Sequence, residues 1–356
     1  MRNHSISHKF LMTVLPILMV VFLSSCSDKT IKNSNPLQGL SDSSGKYEKP
    51  SKIEGFNFPE AHAPHKSFQQ EWWYLTANLT TENGQTLATQ WTLFRRAVED
   101  KHWYFAHAAL ANAKEHVSAF REGREALGTV NIKTQPFMAN IDDWRWHSSA
   151  SLLPAQLSYG EHAWQVNLNL SNEQQFFRQG ENGFSQKHSR LDIASYYYSQ
   201  PFIEVSGEVF WQGKWQNVTG KAWLDREWGS QMLAPDQQGW DWFSLRLNQE
   251  LALMVYRIRS NDIDYLYGSL MNRNGEIRTL SADEITLKSQ SSIDLADSIY
   301  PQTFSISIEE EQIDITVNVV NKNQIMRFGI EYFEGMVTFS GSHQGQGFLE
   351  MTGYKY

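Results

Sequence analysis

Apolar and polar side chains alternate along most of this chain. "YLTANLT" (74–80) alternates, "ENGQ" (82–85) supplies an Asn-Gly turn, and "TLATQWTLFRR" (86–96) runs back. Successive side chains of a strand point to opposite faces, so the pattern predicts half-buried antiparallel strands joined by tight turns. "HWYFAHAALANA" (102–113), "FIEVSGEVFWQGKWQNVTGKAWL" (202–224), "WFSLRLNQELALMVYRIRS" (242–260), "FSISIEEEQIDITVNVV" (304–320) and "FGIEYFEGMVTFSG" (328–341) continue it, rich in Val, Ile, Thr and aromatic residues. Helical periodicity is weak. One short helix is predicted in "SADEIT" (281–286), with Ser281 as its cap.

One order of features occurs twice. Trp73-Tyr74 opens a strand, a turn follows, a strand ends at Arg95, and "HAALAN" (107–112) comes next. Trp242-Phe243, a strand ending at Arg257 and "YGSLMN" (267–272) repeat that order. Closure into barrels removes exposed strand edges. The fold class predicted is therefore all-β, with two tandem antiparallel β-barrels at 55–230 and 231–356.

The first 54 residues break the pattern. Arg2 and Lys9 precede a fourteen-residue apolar run, Phe10 to Leu23, which ends in "LSSC". That run is short for a membrane span and has the anatomy of a secretory leader. Leu, two small residues and Cys resemble a bacterial lipobox, which implies a lipoprotein signal peptide at 1–26 and acylation of Cys26. Ser27, in place of Asp, implies the outer membrane, with the protein lipid-anchored in the bacterial envelope and facing the periplasm. Residues 27–54, rich in Ser, Asn, Lys, Gly and Pro, read as a flexible tether. Cys26 is the only cysteine, so no intramolecular disulfide supports the fold.

Charge narrows the partners. The formal net charge of −8 becomes −10 once Arg2 and Lys9 leave with the signal peptide. An acidic chain without a basic cluster argues against nucleic acid and against direct binding to anionic headgroups; the lipid anchor supplies the membrane contact. No oligomeric state is implied. The eleven histidines show no metal-ligand spacing, no G-x-S-x-G is present, and "GEVFWQG" is no phosphate loop. The expectation is no metal and no organic cofactor. Barrels of this size can enclose one apolar ligand, and thirteen tryptophans suit polyenes and rings. A lipophilic small molecule is the expected partner.

"EWWY" (71–74), "HAAL" (107–110), "SYYYSQP" (195–201), "WLDREWG" (223–229), "GWDWFSLRL" (239–247) and "GQGFLEMTGY" (345–354) resemble the AttH/CrtC family. That family includes carotenoid 1,2-hydratases and exported proteins described as predicted secreted hydrolases. The resemblance covers residues 55 to the C-terminus and implies lipocalin-like barrels. The family's hydratases add water to an isolated trisubstituted alkene through a carboxylic acid. They carry a His-x-Trp pair, then a Tyr-x-Asp pair. Aligned from the flanking Ser and Pro, these fall on Tyr196 and Tyr198, and on Trp223 and Asp225. Asp225 is retained; Tyr196 stands where the histidine would be.

In the residues themselves, Trp223 and Asp225 share one strand face; the strand is expected to break beyond Asp225, and Glu227 extends the same face only if the backbone stays extended. An acid that protonates carbon must be kept neutral by apolar surroundings beside aromatic rings. The candidate catalytic residues are Asp225, Glu227 and Tyr196, with Trp223, Tyr198, Trp228, Trp73 and Trp242 lining the pocket. A structural alternative stays open: the acids pair with Arg226, Arg246 or Arg257, and the tryptophans fill a hinge. Glu71 reads as an exposed strand-start acid, His107 as a hydrogen-bonded core histidine, and Arg95 and Arg257 as structural closures of barrel ends. Two functions follow: an acid–base enzyme of the hydratase or isomerase type, or a carrier for a lipophilic ligand.

Overall fold

The computed structural model describes residues 38–41, 46–173, 175–295 and 298–354; Cys26 and the signal peptide lie outside them. Among the described residues, two large antiparallel sheets follow one another along the chain, one of thirteen strands and one of ten. In the first, Gln70–Thr81 pairs with Thr86–Val98 on one side and Lys214–Gly229 on the other. Ala194–Trp211 lies beyond Lys214–Gly229 and carries the sheet on to the Trp164–Leu170 strand. The far strands curl over until Lys101–Ala111 and His116–Gly123 meet Phe137–Ile141, making a near-barrel. In the second sheet, Gln237–Arg246 lies between Leu251–Ser260 and Gly345–Thr352, and Glu331–Gly341 follows. The architecture is all-β and lipocalin-like, and both sheets belong to one compact unit.

The alternating pattern explains three separate apolar layers. Trp73, Leu75, Trp91, Tyr196, Tyr198, Leu224 and Trp228 fill the first interior. Phe243, Leu245, Phe304, Ile306 and Leu349 fill the second. A third layer joins the outer faces of the two sheets, with Tyr74, Tyr197 and Trp223 from the first against Trp242, Met254, Tyr256, Met271 and Phe348 from the second. Each such large side chain withdrawn from water contributes roughly 1.5–3 kcal/mol. The sheets are therefore welded along strand faces that an isolated barrel would leave wet.

Each sheet opens on the same device. Glu71 stands opposite Arg95 and accepts from both Arg95 and Arg226; Asp241 stands opposite Arg257 and accepts from Arg257 and Arg259. The acids fix the correspondence one residue away from the tryptophan pairs of the sequence reading, so that Trp72, not Trp73, matches Trp242. Glu71 is fully buried rather than exposed. Burial alone would raise its pKa, but Arg95, the His65 hydrogen bond and Arg226 outweigh it and hold the carboxyl below its usual range. Arg226, over the Trp73 ring at 3.8 Å, is the cation on the barrel interior.

Two local expectations change. "SADEIT" forms a single turn, not a helix: the Glu284 amide donates to Ser281 O at 3.1 Å and the Ser281 amide to Glu284 Oε2 at 2.8 Å. Residues 46–54, read as tether, lie on the first sheet. The Glu48 amide donates to Ser67 O at 3.0 Å and the Ser51 amide to Tyr196 Oη at 2.9 Å.

Candidate functional site

A cavity of about 160 Å³ opens in the layer between the sheets. Its walls come from the outward faces of both: Trp72, Tyr74, Phe94, Tyr197, Asp225 and Glu227 on one side, Trp240, Trp242, Tyr256, Tyr332 and Glu350 on the other. Period-two alternation decides which residues reach it. On Lys214–Gly229, residues 223, 225 and 227 face the second sheet while 224, 226 and 228 face the interior of the first. On Ala194–Trp211, Tyr197 faces the cavity and Tyr196 and Tyr198 face away.

Asp225 is almost fully buried. Ser199 Oγ donates to its Oδ1 and Trp223 Nε1 to its Oδ2 at 2.9 Å, both across or along neighbouring strand positions. It has no ion-pair partner among the described residues. Burial pushes its carboxyl up to about 7; hydrogen bonds from Ser199, Trp223 and Tyr197 pull it down, and the Glu227 charge pushes it further up. The structural alternative of an arginine clamp is absent. Arg226 binds Glu71, Arg257 binds Asp241, and Arg246 donates to Pro201 O at 2.8 Å.

Glu227 is the acid that pairs. Lys187 Nζ lies 2.7 Å from its Oε1, and Ser195 Oγ donates to the same oxygen at 2.5 Å. Lys187 also sits over the Tyr197 and Tyr256 rings.

Four predicted residues are placed elsewhere. Tyr196, Tyr198, Trp228 and Trp73 belong to the first interior and do not line the cavity. Tyr196 exchanges hydrogen bonds with the Ser51 backbone, Tyr198 Oη meets His62 Nδ1 at 2.6 Å, and Trp228 stacks on His65 at 3.8 Å. The pair facing Asp225 is Tyr197 and Ser199, one residue further along than the alignment from the flanking Ser and Pro. Trp242 does line the cavity and donates through Nε1 to Tyr197 Oη at 3.2 Å. Trp223 stands on the same strand face, edge-on to Trp242 at 6.1 Å, but packs beside the cavity and not in its wall.

The sequence reading missed Tyr74, Tyr197, Lys187, Trp240, Glu334 and Glu350. Glu350 in "GFLEMTG" is a lone acid inside an apolar strand, and Glu334 in "EYFEGMV" is flanked by apolar residues and glycine, a signal the sequence did carry. Glu350 lines the cavity, with Trp240 Nε1 donating to its Oε1 at 2.8 Å. Burial pushes its carboxyl up to about 7 against that hydrogen bond, and the charges of Glu227 and Asp225 add to the rise. Tyr74 Oη donates to Glu334 Oε1 at 2.5 Å. His107, at another wall, is buried and meets Tyr332 Oη at 2.8 Å; burial pushes its imidazole down to about 3, so it stays neutral. Among the described residues no three His, Cys, Asp or Glu side chains are grouped to hold a metal ion.

The site is thus an apolar cleft between two lipocalin-like sheets, furnished with weakly acidic carboxyls and neutral phenols. The chain belongs to the AttH-like family, whose model matches residues 49–354. It is similar to the crystal structure of an AttH protein from Nitrosomonas europaea, with 30% identity and TM-score 0.80, covering 87% of this chain and 100% of that one. It also shares its fold with kievitone hydratase from Nectria haematococca, with 16% identity and TM-score 0.69, covering 90% of this chain and 99% of that one. No curated protein sequence matches it.

Proposed function

We propose that this protein is an envelope lipoprotein that adds water to, or removes it from, a carbon–carbon double bond of an apolar small molecule held between its two sheets. The observation that carries the reading is Asp225: a carboxyl in the wall of an aromatic cleft, hydrogen-bonded but without a cation, and poised near neutral pH. An acid whose pKa lies near the working pH is both protonated in useful amount and willing to give the proton up. Trp242 and Tyr197 line the cavity, and aromatic rings stabilise positive charge that develops on carbon. Tyr74, Tyr197 and Tyr256 stay as neutral phenols, because burial raises each well above its usual pKa. The hydratase name of one structural relative points the same way.

Cavity size limits the substrate. An engineered cavity of about 150 Å³ takes up benzene, so this one accepts a ring or a short branched alkene end. A long polyene would leave most of its length outside. Carriage without chemistry is the second reading, favoured by the cleft's predominantly apolar wall.

The test uses β-citronellol, an isolated trisubstituted alkene, in oxygen-labelled water. Wild type is expected to place the label in a tertiary alcohol. Asp225→Asn is expected to lose about 10²–10⁴-fold of that rate, the usual worth of a general acid, while still quenching its tryptophan fluorescence on binding the probe. Binding without label in the wild type would establish the carrier reading instead. For the anchor, Cys26→Ala is expected to abolish incorporation of a palmitate analogue and to release the protein from the outer membrane; label persisting in the variant would contradict lipidation there.

A further inference from the structure

Hydration needs a second proton-handling group, because the water that attacks carbon must lose a proton as the acid gives one. The wall opposite Asp225 supplies candidates. Glu334 and Glu350 are directly opposite one another on the neighbouring strands Glu331–Gly341 and Gly345–Thr352. Glu350 opens into the cavity, and Trp240 Nε1 fixes one of its oxygens. Glu334 lies behind it, 1% exposed, with Oε1 held by Tyr74 and Oε2 buried without a hydrogen-bond partner. An ionised carboxylate does not tolerate such an oxygen, and a proton placed on it needs an acceptor, which the facing Glu350 carboxylate supplies.

Charge balance leads to the same conclusion. Asp225, Glu227, Glu334 and Glu350 gather around one cleft. Facing them are Lys187, which is held on Glu227, Arg95, which is held on Glu71, and Arg96. The remaining titratable neighbours of the pair are Tyr74 and Tyr332, both neutral, and neutral His107. Two carboxyls side by side without a cation cannot both ionise. Burial and the Glu350 charge together hold Glu334 well above its usual pKa.

We propose that Glu334 and Glu350 form a proton-sharing carboxyl pair across the cavity from Asp225, and that Glu350 is the base that receives the proton of the adding water. This rests on the hydration reading above. The Asp225 carboxyl gives its proton to the less substituted alkene carbon, and the π electrons form the C–H bond. Water forms the C–O bond at the other carbon, and its proton passes to the Glu350 carboxylate. Glu334, behind it, holds the pair's own proton and so leaves Glu350 as the carboxylate that faces the water; it is a positioning residue. Product release returns the proton from Glu350 to Asp225 through solvent.

Two measurements on the full chain separate this from the parent reading. The protonated-carboxyl carbonyl band is followed by infrared spectroscopy as pH rises, in wild type, Glu334→Gln, Glu350→Gln and Asp225→Asn. The pair is expected to hold one proton into alkaline pH, and either glutamine substitution is expected to move that last step to lower pH; Asp225→Asn removes a different step. In the label assay, Glu350→Gln is expected to lose about 10²–10⁴-fold in rate with probe binding changed less than a few-fold. Unchanged last steps in both glutamine variants overturn the pair. A wild type that hydrates β-citronellol alongside an equally active Glu350→Gln overturns the base role and leaves the parent reading intact. An inert wild type overturns the parent reading and the base role with it, while the infrared steps still decide the pair.

Discussion

At the scale of single residues, two buried acids on neighbouring strands behave in opposite ways. Glu71 and Asp225 both sit on paired positions of the strands Gln70–Thr81 and Lys214–Gly229 or opposite them, yet Glu71 meets two guanidinium groups and Asp225 meets none. Folding therefore strengthens the acid in one and weakens it in the other. For Asp225 the folded pKa of about 7 exceeds the unfolded value of 3.8, so the folded state binds the proton more tightly. Stability from this group is full below the unfolded pKa and is lost as pH rises to about 7. Three pKa units correspond to roughly 4 kcal/mol, from which Asn returns about 1 kcal/mol for an acceptor it no longer offers. Asp225→Asn is thus expected to be more stable than wild type at pH 8 by a few kcal/mol, and close to it or slightly weaker at pH 4. Chemical denaturation at both values checks this; a variant weakened equally at both would mean that Asp225 is a structural acid. The sequence made Asp225 visible because an acid stood beside two tryptophans. It hid Lys187 as the partner of Glu227, since that ion pair joins segments forty residues apart in the chain and only the sheet brings them together.

At the scale of elements, the alternation of "WLDREWG" was legible in part: Trp223 and Asp225 share a face and Arg226 points away from them, but the break expected beyond Asp225 does not occur, because the strand runs on to Gly229 and carries Glu227 onto the same face. The same rule applied to "SYYYSQP" failed by one position. Three consecutive tyrosines offer no contrast between faces, so nothing local says whether 196 and 198 or 197 faces the partner sheet. The turn chemistry was easier to read. Gly84 of "ENGQ" has φ of +76°, which glycine adopts at no steric cost, and it ends the first hairpin where the Asn-Gly pair said it would. In "SADEIT" the Ser281 and Glu284 side chains do cap one another, but the chain leaves at once into the strand Thr286–Leu295, and one capped turn has no room to become a helix.

At the scale of the whole molecule, the all-β class and the two-sheet plan were legible because strand patterning is repeated along the chain. The location of the site was left open, between the barrels or within one. Barrel interiors are the obvious cavities in a sequence of this kind, but here the first is filled by its own tryptophans and aliphatic side chains and the second by phenylalanines and aliphatic side chains. The cleft exists because two outward faces, each too apolar for water, close over one another and bury the polar residues caught between. Asp225 lies on the outside of its own sheet, and the second sheet is what removes it from solvent. Its protonation therefore reports on the assembled molecule as much as on the residue. The decisive measurement is the carbon-13 titration of the Asp225 carboxyl in the intact chain, assigned by loss of its signal in Asp225→Asn. A midpoint near 7 is expected. A midpoint at or below the ordinary aspartate value would mean a solvated or cation-paired carboxylate, and would contradict its role as the acid of this cleft.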